Sequence, residues 1–380
     1  MNSENFQLAI DTIMQRPTRG IPSWGGNIME HSFIEHLAGV SPGDYVKKPL
    51  ETYLAMKKKM GTSAIDQWIP ENPLTITAHG YDEQKEKGAT TGAERIVRDD
   101  ILIDSPEAAL QHIETIVFPQ IYKAIAEFDE DVHIQKIIKN EATVQALFGS
   151  DILKVPYGIA KFPKFLYGAY GYENYFMAYA LYPEVMEKLF SLQADFAVLN
   201  NRAIAKAYHL GKFPPLTRLD HDMADSRGTL VDIKSLDKIW FPHFARCLEP
   251  LLKSGIKLIW HCDGNLMQMV PRLLEVGLKG FQGFQYEDGM DYEKICKMKA
   301  NDGSSLIIIG GVSVTRTLPS GTPDDVKREL KWLVDNGPKT GLFLGTSSSV
   351  APGVPWENIK VFIEGLNYYK KYGRRAASNY

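Results

Sequence analysis

Short apolar runs alternate with longer amphipathic stretches from about residue 150 to the C-terminus. ILKVPYG (152–158), TRLDHDM (217–223), IKLIWHCDG (256–264), LKGFQGFQYE (278–287), SLIIIGGV (305–312) and TGLFLGTSSS (340–349) read as strands. Their near-continuous apolar character is that of strands covered on both faces. Between and after them lie helical patterns over 183–209, 236–255, 266–277, 291–300, 322–336 and 357–373. Gly255 stops the second of these. Thr322-Pro323-Asp324-Asp325 opens the fifth with a cap, a proline in the first turn and acidic residues beside the helix N-terminus.

Strands that alternate with helices form a parallel sheet with helices on both sides. Six strands lie in the second half, and residues 21–26 supply a further candidate. The pattern predicts an α/β fold, an eight-stranded (β/α)8 barrel, forming a single domain over residues 1–380 with an N-terminal helical extension. A doubly wound open sheet is the alternative, and the glycine-rich dinucleotide fingerprint after a first strand is missing. Residues 61–105 are rich in charges and turn formers, including DEQKEKGATTGAE (82–94), and read as a long surface excursion.

The chain has 380 residues, 44% hydrophobic and 23% charged, with a formal net charge of −3, an ordinary balance for a soluble protein. KKKM (57–60) and KKYGRR (370–375) read as solvated faces, so no nucleic-acid partner is expected. The start, MNSENFQLAIDTIMQ, is no signal peptide, and no apolar run is long enough for a membrane span. Three irregularly spaced cysteines, Cys247, Cys262 and Cys296, make no disulfide framework, which points to the cytoplasm.

Four of these strands end in polar groups: Asp220, His221 and Asp222; His261 and Asp263; Gln285 and Glu287; Thr346, Ser347 and Ser348. In an α/β barrel these ends form the active-site face. Residues two apart on a strand share a face, so His261 and Asp263 point together and Cys262 points away with Leu258 and Trp260. His261, Asp263 and Glu287 could hold zinc with a position left for substrate or water. Equally, His261 could act as a proton donor oriented by a carboxylate, or be a histidine satisfied at the barrel rim. Asp222 and His221 are candidates for shaping or polarising the same site. The aromatic-rich stretch FPKFLYGAYGYENYFMAYALY (162–182) is either packing or pocket wall. Tyr167, Tyr170 and Tyr172 in its glycine-broken part, with Trp24 and Gln285, are the substrate-binding candidates.

The motifs RPTRGIPSWGG (16–26), GAYGYENYFM (168–177), RLDHDMADSRG (218–228), WHCDGN (260–265), GGVSVTRTLPSGTPDDVKREL (310–330) and PWENIKVFIEGLNYYKKYG (355–373) are spread over most of the chain. Together they resemble the uroporphyrinogen decarboxylase superfamily, in particular its corrinoid-dependent methyltransferase branch. The resemblance implies a (β/α)8 barrel. Two departures bear on the activity it implies. The Arg-Gln-Ala-Gly-Arg element that meets substrate propionates in the decarboxylases is absent. The thiol-activating members use His-x-Cys and a distant cysteine, whereas here Asp263 and Ser348 stand near those positions. Glu287 stands where related methionine-synthase barrels place a glutamate ligand.

An oxygen-rich zinc site suits polarising an ether oxygen so that a phenolate can leave. The resemblance then implies an O-demethylase component that takes a methyl group from a small aromatic methyl ether. The acceptor would be the cobalamin of a separate corrinoid protein. The rival readings are a decarboxylase acting on a porphyrinogen or another carboxylated substrate, and a non-catalytic barrel that binds a small molecule.

Overall fold

Ser3 accepts a hydrogen bond from the main-chain N–H of Phe6 and opens helix α1 (Glu4–Ile13). The apolar residues Phe6, Ala9, Ile10 and Ile13 recur at helical spacing and so lie on one side. That side packs against Trp24, Ala64, Leu153, Val155, Leu216, Ile259, Ile307, Ile309 and Phe343, the interior of a ring of strands. The N-terminal extension therefore closes the bottom of the barrel.

The computed structural model describes residues 3–72, 76–77, 80–81 and 95–376. Among the described residues the barrel strands are β1 (23–24), β2 (Ala64–Ile65), β3 (Leu153–Lys154), β4 (Leu216–Asp220), β5 (Lys257–His261), β6 (Gly280–Gln282), β7 (Ile307–Val312) and β8 (Leu342–Thr346). Parallel ladders join the last five in the order β8-β7-β6-β5-β4, and β2 pairs with β3. Parallel bridges supply the remaining junctions: Tyr157, just past β3, with Arg218; Trp24 with Ala64; and Ser23 with Leu344. Main-chain bonds from Trp24 to Leu344 (2.7 Å) and from Gly25 to Ala64 (2.8 Å) hold β1 between its neighbours. The contacts link all eight strands into a ring, the (β/α)8 barrel that the alternation predicts.

Helices α2 (Pro49–Lys59), α3 (Pro183–Gly211), α4 (Phe241–Lys253), α5 (Pro323–Asn336) and α6 (Trp356–Tyr372) are among those that cover the outside. The helix predicted over 236–255 is broken at Trp240, between Ile233–Ile239 and α4. Pro242 in the first turn of α4 supplies the reason, since proline lacks an N–H and cannot continue a preceding helix. At α5, Thr322 and Asp325 form the reciprocal cap expected from the sequence.

The 61–105 excursion is a partial misreading, because β2 lies inside it. A two-residue strand bounded by GTS and DQ is too short to show a period. The segment DEQKEKGATTGAE lies outside the described residues. Among the described residues no helix is long and apolar enough to cross a membrane.

Candidate active site

Leu216 and Ile259 lie in the interior cluster, so alternation turns Arg218 and Asp220 on β4, and His261 on β5, toward the inside as well. The parallel register sets Asp220 beside His261, and His261 beside Gln282. Three polar side chains thus stand at one level of the barrel, at the C-terminal ends of adjacent strands.

Arg218 is 6% exposed and organises the charges around it. Its Nε donates to Asp66 Oδ2 (2.6 Å), and its Nη1 donates to Gln282 Oε1 (2.9 Å) and faces Asp220 Oδ2 (3.2 Å). The guanidinium lies 4.5 Å from the centre of the Tyr157 ring. Asp66 also accepts from Trp24 Nε1 (3.2 Å) and from the Gln67 main chain (2.6 Å). Tyr157 donates its hydroxyl to Asp220 (2.7 Å). Burial pushes the Asp220 carboxyl up, but His261, Arg218 and the Tyr157 hydroxyl outweigh it and hold the group below its ordinary pKa. Asp66, Arg218, Asp220, His261 and Gln282 border a cavity of about 200 Å3, whose wall also includes Asn27, Thr346, Ser348 and Ser349.

His261 Nδ1 lies 3.1 Å from the main-chain oxygen of Gln282. The turn that brings this oxygen there passes through Gly283 at φ +74°, where a Cβ would stand 2.6 Å from Nδ1. A carbonyl only accepts, so the ring carries a proton on Nδ1 and turns Nε2 toward the carboxylates. One ligand atom from each of Asp220, Asp222 and His261 comes within 4.8 Å of the others. Asp263 Oδ1 is 3.9 Å from Nε2 and is buried with no hydrogen-bond partner. Burial, with the charges of Asp222 and Asp220, raises the Asp263 carboxyl above its ordinary pKa. An imidazole nitrogen among mutually repelling carboxylates, one with an orphaned oxygen, is a donor set that fits a divalent cation such as zinc.

The set proposed from sequence, His261 with Asp263 and Glu287, is not brought together. Glu287 accepts from Ser313 Oγ (2.7 Å) and from Thr315, and borders a second cleft with Tyr286, Arg316 and Trp332. The chain leaves β6 at Gln282, turns at Gly283, and carries Glu287 in a short 3-10 turn (Tyr286–Asp288), so strand alternation no longer governs its direction.

His221 also departs from its expected role. It faces the outer layer, where its Nε2 accepts from the Phe165 main chain (2.9 Å) and its ring stacks on Tyr167 at 5.8 Å. Burial drives its pKa down to about 3, so the ring is neutral and serves packing. Tyr170 is 1% exposed and bonds to His112 Nδ1 (2.9 Å), which places it in the core instead of a substrate wall. Gln285 accepts from the Gly264 main chain (2.5 Å), so it fixes the loop after β5 and is absent from the cavity lining. Tyr167 and Tyr172 stack 4.8 Å apart, and Tyr167 donates to the main-chain oxygen of Asp222 (2.9 Å). Trp24 lines the cavity. Cys262 packs in the outer cluster with Leu258 and Trp260, and burial raises its thiol well above the ordinary range. Asn27, Asp66, Tyr157, Arg218 and Gln282 were not singled out from sequence. For Arg218 the signal was present, because it lies two residues before Asp220 on the same strand.

The uroporphyrinogen decarboxylase (URO-D) family model matches residues 167–369, more than half of the chain. Among solved structures, a methyltransferase from Methanosarcina mazei aligns over 96% of this chain and 98% of its own, with a TM-score of 0.59 and 12% identity. That likeness concerns the fold. A B12-independent methionine synthase from Shewanella sp. W3-18-1, in complex with selenomethionine, aligns over 64% of this chain and 68% of its own, with a TM-score of 0.34 and 12% identity. No curated protein matches the chain.

Proposed function

Because the chain belongs to the uroporphyrinogen decarboxylase family, we propose that it is a methyltransferase of that family. The methyl donor is a small aryl methyl ether and the acceptor is the cob(I)alamin of a separate corrinoid protein. The observation that carries this reading is the convergence of His261, Asp220 and Asp222 at the barrel mouth, two of them bordering a cavity of about 200 Å3. Such a space lies below the range of about 300–1,000 Å3 usual for drug-sized ligands. It suits a small methyl donor better than a tetrapyrrole with eight carboxylates. Arg218 is the one arginine among the described residues that line the cavity, so the lining offers no cluster of guanidiniums to several propionates.

Zinc held by His261, Asp220 and Asp222 would supply an electrophile to the ether oxygen. The protein's own groups prepare that position. The Gln282 carbonyl fixes the His261 ring, and Arg218 with Tyr157 keeps Asp220 ionised and aligned. The stacked rings of Tyr167 and Tyr172, joined to Asp222 through the Tyr167 hydroxyl, offer a surface for an arene. The methyl–oxygen bond breaks with its electron pair passing to the phenolate oxygen, and the carbon takes the electron pair of the cobalt(I) acceptor.

Incubation with a reduced corrinoid protein and a panel of methoxyarenes tests the reading. The methylcobalamin spectrum should appear together with a free phenol. Failure with every methoxyarene would reject the aryl ether as donor, and porphyrin formation from uroporphyrinogen would put decarboxylation in its place.

A further inference from the structure

Three buried side chains among the described residues border the cavity with hydrogen-bond donors left over. Arg218 spends Nε on Asp66 and Nη1 on Gln282 and Asp220, and among the described residues nothing meets Nη2. Gln282 must turn Oε1 to Arg218, because a guanidinium only donates, and its Nε2 then has no partner among the described residues. Asn27 Oδ1 accepts from the Tyr53 hydroxyl (2.7 Å), which leaves Nδ2 in the same condition. Arg218, Gln282 and Asn27 are 6%, 7% and 9% exposed, and all three line the cavity. None of their nitrogens is among the sealed, unpartnered atoms of the described fold, so each opens on that space.

These donors are held in place. Asp66 and the Tyr157 ring fix the guanidinium. Tyr53 fixes Asn27 from α2, and the fully buried Lys57, one turn further along α2, donates to the adjacent Gly26 carbonyl. Asp66 uses both oxygens on Trp24, Gln67 and Arg218, and Asp220 uses Oδ2 on Tyr157 and Arg218. The donors open on the cavity, and an oxyanion entering it can accept from several at once.

We infer that Asn27, Arg218 and Gln282 form an oxyanion-binding subsite, and that the molecule entering the cavity carries a carboxylate or phenolate oxygen. Calling that molecule the methyl donor rests on the methyl-transfer reading; the subsite does not. A neutral ether lacking such a group would leave the donors unpaired and bind weakly.

Calorimetric titration of the purified protein with benzoate and with benzamide separates the subsite from the reaction, since neither probe has a methyl group to give. Benzoate should bind at least about tenfold more tightly. Asn27→Asp keeps the side-chain shape but exchanges a donor for a charged acceptor. It should weaken benzoate at least about tenfold and leave benzamide within about threefold. Equal affinity for the two probes, or a variant that binds benzoate like the parent, overturns the subsite. Discrimination without methylcobalamin formation from any methoxyarene keeps the subsite and removes the methyl-transfer reading. Equal kcat/KM for methoxybenzoates and anisole keeps the reaction and removes the subsite.

Discussion

Replacing His261 with alanine should strip bound zinc from the protein and cut methyl transfer by more than about a hundredfold. The lower bound comes from outer partners of metal ligands, whose loss alone costs about 10–100-fold in metal affinity or activity. His261 is the one nitrogen donor in the group, and its ring is fixed by the Gln282 carbonyl at 3.1 Å. Its removal leaves Asp220, Asp222 and Asp263 facing one another without it, a weaker and harder set of oxygens. Metal content by mass spectrometry and the rate of methylcobalamin formation are the two readouts. A variant that keeps both zinc and activity would show that His261 is not a ligand.

The second large effect concerns stability. Asp66→Ala should cost about 3 kcal/mol, the low end of the 3–5 kcal/mol range for breaking a buried ion pair. Asp66 is 2% exposed, and its loss removes the strongest partner of Arg218 as well as the acceptor for Trp24 Nε1. The low end applies because Asp220 still faces Nη1 at 3.2 Å. Adding Arg218→Met to the same chain should recover part of the loss, because the uncompensated charge goes with it. Denaturant unfolding of the parent, single and double variants measures this. No destabilisation in the single variant, or a deeper loss in the double, would mean that the pair does not hold the barrel mouth together.

The barrel was legible because the later strands lie in mainly apolar stretches, β7 and β8 most plainly, that alternate with helical patterns. β1 and β2 are two residues each, so β2 disappeared into the polar stretch around it. Within the site, alternation worked while the chain stayed extended. It turned Cys262 outward with Leu258 and Trp260, and His261 inward. It gave no guidance at Glu287, which follows the turn at Gly283, whereas at His221, one residue past the inward Asp220, it points outward to the layer that supplies the partner Phe165. Arg218 shares a face with Asp220, which the sequence does announce, but its role also depends on a distant partner. That partner, Asp66, lies 152 residues earlier. Asn27 and Gln282 depend in the same way on Tyr53 and Arg218, contacts that no local pattern announces.

X-ray absorption at the zinc edge, on protein purified with zinc and assayed for metal content, tests the central claim most directly. About one zinc per chain is expected, in a shell of oxygen and nitrogen at about 2.0–2.2 Å, with a single imidazole and no sulfur. A chain that binds no zinc, or a shell containing sulfur at about 2.3 Å, would contradict it.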